Sequence, residues 1–450
     1  MSVELKRCLS LWEIVVYGVG LILGAGIYVL IGAAAGIAGN MVWLSFLIAA
    51  AVAGLTAMSY AELSTIFPKS GAEFLFVKAA FGSEALAWII GFCTLIIGFS
   101  AASAVAVGFA QYLAFFFPLK NLFLAFALII VMSLISFWGI KESSRFNTLA
   151  TSIEAGGLLL VIVIGGYQIF AGVIPLANLL ELPQTTQDQG LGLSSIVSAG
   201  ALIFFAYIGF EDIANIAEEA ENPQKILPKA YIYSLLISAV IYVLVAVVTV
   251  SVVPYRTLAA ADQPLSLVLQ MLIGGVAPSV MAIIALFATA NTVLIILIVG
   301  ARMLYGMAKD GNLPAFLARI HQGRQTPWPS VMVMALITTL FLFLKQIEIL
   351  ASIADIGTFI VFFMVNLSNI ILRYRQPKLE RPWRAPLNIG SFPVISALGA
   401  ISCLMMLLTI NQPIGIFGKQ ISSIIVGLLI FALAIPFYLV LGRKNTRKHP

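Results

Sequence analysis

Charge is what this sequence has least of. Only 10% of its 450 residues are Asp, Glu, Lys or Arg, against about a quarter in a water-soluble chain, too few to cover a surface that faces water. Histidine is nearly missing: His321 falls in an inter-helix segment and His449 at the tail, so no His-based catalysis and no His metal cage can be built at membrane depth. The three cysteines, Cys8, Cys93 and Cys403, are odd in number and widely spaced, which indicates neither a disulfide framework nor a zinc site. The net charge of +6 comes from Lys and Arg scattered between apolar runs, with no continuous basic stripe of the kind nucleic acid requires. Neither an enzyme nor a metal site is indicated, and no cofactor is expected.

Apolar sequence is abundant. Hydrophobic residues make up 61% of the chain and mean hydropathy is +1.06, so lipid is the main solvent and the chain reads as an all-α integral membrane protein. Twelve runs are long enough to span a bilayer, at about 12–37, 42–66, 85–116, 121–139, 146–170, 195–217, 230–253, 279–307, 330–344, 349–372, 393–411 and 420–441; the ninth is the shortest. The first exceeds the core of a signal peptide, of about 7–15 residues, and is expected to stay in the mature protein. With the N-terminus inside, 21 of the 25 Lys and Arg residues fall on inner segments and only Lys120, Arg256, Lys345 and Lys419 on outer ones. That asymmetry places both termini in the cytoplasm.

Two spans carry small, helix-loosening residues near their middles. The first reads Gly18-Val-Gly20-Leu-Ile-Leu-Gly24-Ala-Gly26-Ile-Tyr28, and the sixth Phe204-Phe-Ala-Tyr-Ile-Gly209-Phe-Glu-Asp212. Five spans separate their starts, an odd number, so a second five-helix unit enters the membrane upside down relative to the first. The organisation expected is a tail at 1–11, a first repeat at 12–170, an external loop at 171–194, an inverted repeat at 195–373, a cytoplasmic loop at 374–392, two appended helices at 393–441 and a tail at 442–450. Glycines also serve close helix packing, which is the alternative use of these positions. If both helices break, the N-terminus created after Gly26 points N–H groups inward and suits a carboxylate, while the freed carbonyls suit an ammonium group. Such a site fits the zwitterionic head of an amino acid at the bilayer midplane.

Several motifs fall in order at helix ends: Gly24-Ala-Gly-Ile-Tyr28; Tyr60-Ala-Glu-Leu-Ser64 with Pro68-Lys-Ser-Gly-Ala-Glu-Phe74; Phe205 to Phe210 followed by Glu218-Glu-Ala-Glu-Asn-Pro-Gln-Lys225; Ala308-Lys-Asp-Gly-Asn-Leu-Pro314; and Arg373-Tyr-Arg-Gln-Pro377 leading into Arg381-Pro-Trp-Arg-Ala-Pro386. Through these the chain resembles the amino acid, polyamine and organocation permease family over nearly its whole length. The resemblance implies the LeuT-like fold and secondary transport by alternating access. It implies that Gly24, Ala25, Gly26 and Ile27 contact the substrate carboxylate, and that Phe205, Ala206, Tyr207, Ile208 and Gly209 hold the amino group and line the side-chain pocket. Phe205 stands where the family's arginine/agmatine antiporter has an aromatic outer gate; the alternative is an ordinary packing aromatic.

Ionisable residues at membrane depth are costly and mark function. Glu13 and Glu62 lie near cytoplasmic helix ends, where they can snorkel or cap, and Asp355 lies near an outer end. Glu211 follows the second break and matches an acidic position implicated in proton coupling in the antiporter; a hydrogen bond at a helix restart is the alternative. Glu154 has no basic residue within one helical turn, and an unpaired carboxylate in low dielectric can act as a reversible proton carrier. The matching position in proton-coupled members often carries a lysine, so the sign is reversed here. The other reading of Glu154 is a structural carboxylate bonded to Asn291 or Thr292.

No charge stands between Glu84 and Lys120 on the third span, where cationic amino acid permeases tend to carry a glutamate. The reading is a transporter of a neutral L-amino acid in the cell membrane, of prokaryotic origin, coupled to protons or working by exchange. A cationic amino acid or amine carrier, a sodium-coupled symporter, and a sensor or channel of the same fold remain the alternatives.

Overall fold

The computed structural model describes residues 5–114, 116–117, 119–181, 193–261, 263–344, 347–409, 413–416, 419–422, 432 and 434–439. Helices dominate: α1 (Leu11–Ile22), α2 (Ala25–Ala38), α3 (Val42–Ile66), α4 (Ala72–Phe81), α5 (Glu84–Ala114), α6 (Asn121–Trp138), α7 (Ile140–Phe170), α8 (Leu193–Phe204), α9 (Pro223–Val252), α10 (Tyr255–Ala259), α11 (Pro264–Ile273), α12 (Ala277–Lys309), α13 (Trp328–Phe341), α14 (Ile347–Arg375) and α15 (Val394–Thr409). Among the described residues, nine helical stretches are long and apolar enough to cross a membrane. The protein is a multi-pass membrane protein. Large apolar side chains such as Leu134, Val163, Tyr167 and Leu336 are exposed, as expected of surfaces solvated by lipid.

Spans nine and eleven are represented by the shorter apolar helices α13 and α15. The twelfth meets a difference: residues 420–422, assigned to its start, lie instead in a two-stranded hairpin of β1 (Pro413–Ile416) and β2 (Lys419–Ser422), with Ile416 paired to Lys419. Most of the remainder of that span lies outside the described residues. The segment between α9 and α12, expected as loop, carries the short helices α10 and α11. Pro264 occupies the first turn of α11, where its missing N–H costs nothing.

Helix ends follow local chemistry. Ser10 and Glu13 form a capping box on α1, with the Ser10 N–H donating to Glu13 Oε2 at 2.9 Å, so Glu13 caps the helix. Gly71 and Gly82 bracket α4 at φ +81° and +65°, a backbone geometry that favours glycine. Packing then places α12 against both α5 and α7, and α3 against α9 and α8. Glu62 on α3 is fully buried and pairs with Arg373 on α14, with Arg373 Nη2 2.5 Å from Oε2 and Nε 2.9 Å from Oε1. The same carboxylate accepts from the Ala385 N–H at 2.8 Å and meets Arg381 at 3.3 Å, which ties the segment after α14 to the bundle.

Candidate functional site

Both candidate breaks are present. The first falls between Ile22 and Ala25, where Gly24 adopts φ −36°, ψ −165°. The second follows α8: residues Phe205–Tyr207 form a 3-10 turn, Ile208 is extended, Gly209 takes φ +127°, and a 3-10 helix runs from Phe210 to Glu219. Only glycine adopts that Gly209 conformation at low cost. The two breaks touch: a Cβ on Gly26 would stand 3.0 Å from Ala206 Cα. Tyr242 of α9 is fully buried beside them, its hydroxyl placed to donate to the carbonyl of Ile22 and, at 3.1 Å, to that of Ala206. One phenolic proton thus serves a carbonyl from each broken helix.

A cavity of about 150 Å³ opens on the breaks. Gly24, Gly26, Phe205, Ala206, Ile208, Gly209, Glu211 and Thr292 line it. Phe205 is 38% exposed, unlike a packed core aromatic. Other predicted residues lie elsewhere. Ile27 and Tyr207 are fully buried outside the lining, and the Tyr207 hydroxyl donates to the Phe46 carbonyl at 3.2 Å. The Ala25 backbone begins α2; its side chain lies outside the described set.

The cavity has two kinds of wall. Ile97 and Ala101 of α5, Ile296 and Val299 of α12, and Phe205 make one part apolar. Glu73, Glu211 and Asp212 make the other acidic. The Gly209 N–H donates to Glu211 at 2.7 Å, so this carboxylate holds the break's own backbone. Glu73, on α4, accepts from Asn215 Nδ2 at 3.0 Å and from the Tyr60 hydroxyl at 3.3 Å; burial pushes its pKa above the ordinary glutamate value. Thr94, Thr292 and Thr358 also line the cavity, each hydroxyl donating to a carbonyl one turn back on its own helix. Their lone pairs remain available as acceptors.

Glu154 does not face this cavity. It is fully buried on α7, and neither carboxylate oxygen has a hydrogen-bond partner; the Tyr28 hydroxyl donates to its main-chain carbonyl at 3.3 Å. Asn291 donates instead to Thr151 Oγ1 at 3.2 Å, and Thr292 to the Ala288 carbonyl, so neither bonds Glu154. The polar cluster at the N-terminal half of the first broken helix is Asn147, Thr151 and Asn291, packed so closely on Gly20 that a Cβ there would lie 2.0 Å from Thr151 Oγ1. Glu154 stands about one helical turn further along α7 than Thr151.

Sequence reasoning overlooked Tyr242, Glu73 and the Asn147–Thr151 pair. Glu73 carried a usable signal, since it stands inside the motif Pro68 to Phe74 already noted, at the start of α4; a lone tyrosine in an apolar span carried none.

Comparison with known proteins gives a match to the Amino acid permease family over residues 9–435. The chain belongs to that family. The permease is 31% identical to the branched-chain amino acid permease BcaP of Bacillus subtilis (strain 168), over 99% of this chain and 95% of the relative. BcaP of Lactococcus lactis subsp. cremoris (strain MG1363) is likewise 31% identical, over 98% of the permease and 96% of the relative. Cationic amino acid transporter 2, vacuolar, of Arabidopsis thaliana is 33% identical over 84% of the permease and 61% of the relative. These are carriers and not enzymes, so the permease is an amino acid transporter acting on a small-molecule substrate from within a bilayer.

Proposed function

We propose that this permease carries a neutral L-amino acid with an apolar side chain by alternating access. The observation that carries the reading is the cavity itself: the backbone of both breaks on one side, and Ile97, Ala101, Ile296 and Val299 on the other. Gly24 to Ile27 would hold the carboxylate and Phe205 to Gly209 the ammonium group, because unwound backbone offers N–H and C=O groups that regular helix does not. Tyr242 would keep the two breaks in register. The apolar wall suits an aliphatic side chain, in keeping with what the two BcaP relatives are named for.

The architecture that goes with this reading has twelve spans in two inverted five-helix repeats, the boundaries at 12–170 and 195–373, and two further helices. Both termini would be cytoplasmic and the protein would sit in the plasma membrane of a prokaryote. Glu154 is the carboxylate assigned to proton coupling, with Glu211 second and with Asn291 and Thr292 as the polar groups of α12 beside the inner half of the first broken helix. Exchange without net proton movement, or a sodium ion in place of the proton, would use the same helices.

A second reading has a specific observation behind it. Glu73, Glu211 and Asp212 share the cavity with no basic residue among its described lining residues, and relatives named as cationic amino acid transporters are 32% and 33% identical over 83% and 84% of the chain. A long cationic side chain reaching these acids would avoid the desolvation penalty that an unpaired charge otherwise meets. Competition of leucine and lysine for one radiolabelled amino acid in proteoliposomes separates the readings: stronger competition by leucine supports the neutral one, stronger competition by lysine the cationic one.

A further inference from the structure

Glu154 stands outside the lining of the amino acid cavity, so that cavity does not bring it to water. A buried carboxyl group that takes up and releases protons needs polar groups within hydrogen-bond reach, or one water between them, all the way to solvent. A second, smaller cavity supplies such a row. Tyr28 of α2, Tyr112 of α5, and Gln263 and Ser266 at the start of α11 give it polar lining residues, and Met281 and Ala285 of α12 belong to its apolar wall. Its volume is about 10 Å³, the room of a single water, and four polar side chains exceed the two partners that such a water needs at least. Exposure falls along the row: Gln263 is exposed, Tyr112 and Ser266 are half-buried and Tyr28 is buried. At its inner end the Tyr28 hydroxyl donates to the main-chain carbonyl of Glu154 at 3.3 Å, and a rotation of the Glu154 side chain brings the carboxyl group of the same residue towards that hydroxyl. The outer end has a definite side. The N-terminal segment pairs with residues 219–221 just ahead of α9, and the 30 residues of α9 then cross the membrane, so α10 and α11 stand on the opposite face.

We propose that Tyr28 and Tyr112, with one water held among them, Gln263 and Ser266, form a proton route to Glu154 that is separate from the amino acid cavity and opens on the membrane face opposite the N-terminal segment. The inference rests on the reading of Glu154 as the proton-coupling group. The surroundings of Glu154 offer few other carriers. Of the helices packed on α7, α6 and α11 have no ionisable side chain, α12 has its own only from Arg302 to Lys309, and α1 has Glu13 and Tyr17 in its first two turns. On α7 itself Lys141, Glu142 and Arg145 lie at the start and Tyr167 near the end. The ionisable residues of α9 are Lys225 to Tyr233 at its start and Tyr242, whose hydroxyl is engaged with the two breaks. Glu154 is within electrostatic reach of Tyr28 and Tyr242, and Tyr28 is within reach of Tyr112. The step balances as a relay: the Tyr28 hydroxyl gives its proton to the Glu154 carboxylate as it takes one from the water, and the water is reprotonated from solvent. One O–H bond forms for each that breaks, and one positive charge moves inward. Proton and amino acid then reach the middle of the protein by different routes, so either can bind while the other is in place.

The test follows the carboxyl C=O stretch of Glu154 by infrared difference spectroscopy, on the full chain in liposomes and without amino acid. The Glu154 band is the one that Glu154→Gln removes, and transfer to deuterium oxide shifts it at the rate at which the carboxyl group exchanges its proton. Tyr28→Phe keeps the ring and removes the relay hydroxyl, and it should slow that shift roughly a hundredfold or more. A tyrosine that only packs would leave the rate as it is, or raise it by loosening its surroundings. Tyr112→Phe should slow the shift in the same direction, and it decides the matter should Tyr28→Phe not fold. Uptake driven by a pH gradient should fall in the same variants. The route is overturned if Tyr28→Phe, or in its place Tyr112→Phe, exchanges at the wild-type rate or faster. If Glu154→Gln removes no band, the coupling reading of Glu154 falls and the route falls with it; a band present in the wild type and exchanged just as fast in Tyr28→Phe removes the route alone.

Discussion

Gly26→Ala adds one methyl group at the contact between the two breaks. The new Cβ would lie 3.0 Å from Ala206 Cα and 3.1 Å from Ala206 Cβ, where ordinary contact begins near 3.4 Å. Ala206 has no long side chain to swing aside, and the atom at 3.0 Å is backbone, so the two broken helices must separate by a few tenths of an ångström. Overpacking of this kind costs about 1–3 kcal/mol. If the separated geometry is the one that binds poorly, that cost appears as substrate affinity weakened roughly 5- to 150-fold. Gly26→Leu, with a larger side chain driven against Ala206 of the second break, should abolish binding outright. The assay is a thermal-shift titration of detergent-purified protein with leucine and related amino acids, since a ligand that binds only the folded state raises its apparent stability. Gly54→Ala is the control: nothing lies within 4 Å of a Cβ placed there, so its affinity should match the wild type. Should Gly26→Ala bind within about twofold of the wild type, the breaks are not the ligand and the reasoning fails.

Three further outcomes are expected. Glu154→Gln fixes the neutral form of a fully buried, unpartnered carboxylate and should eliminate accumulation driven by a pH gradient while leaving substrate exchange; retained accumulation with wild-type pH dependence would make Glu154 structural and turn attention to Glu211. Glu62→Ala strands Arg373, which is 1% exposed, and takes a partner from Arg381; breaking a buried pair costs about 3–5 kcal/mol, readable as a marked fall in thermal stability in detergent, and an unchanged midpoint would refute the role given to this pair. Burial raises the Glu73 pKa above its unfolded value, so the folded state holds the proton more tightly and stability falls as pH rises from the ordinary glutamate range through the raised value. Glu73→Gln should flatten that fall in a thermal-stability profile against pH, and an unchanged slope would remove Glu73 as its source.

The helix breaks were legible because their cause is local: Gly24, Gly26 and Gly209 loosen helices wherever they occur, and their spacing could be counted. Membrane character was legible for the same reason, being a sum over composition. What escaped depends on chain segments far apart in sequence. Glu62 and Arg373 are separated by 311 positions, and nothing near either names the other, so Glu62 read as a snorkelling group when it anchors a buried ion pair. Tyr242 reaches both breaks from a helix that is otherwise a uniform apolar span. On α7 the expectation fell on the charged residue, Glu154, because charge stands out in an apolar run. The neutral residues Asn147 and Thr151, about a turn or two away, are the ones packed against Gly20. The hairpin at 413–422 replaced the start of a span because hydropathy alone does not distinguish an apolar strand from an apolar helix of the same composition.

The central claim, that this chain moves a neutral amino acid bound between the two breaks, is tested most directly by uptake into proteoliposomes. Radiolabelled leucine and lysine are compared at equal concentration, with wild-type protein and Gly26→Leu, under an inward pH gradient and without one. The account predicts leucine uptake well above lysine uptake by the wild type, stimulation by the gradient or by leucine preloaded inside, and no uptake by Gly26→Leu. Lysine uptake exceeding leucine, or leucine uptake undiminished in Gly26→Leu, would contradict it.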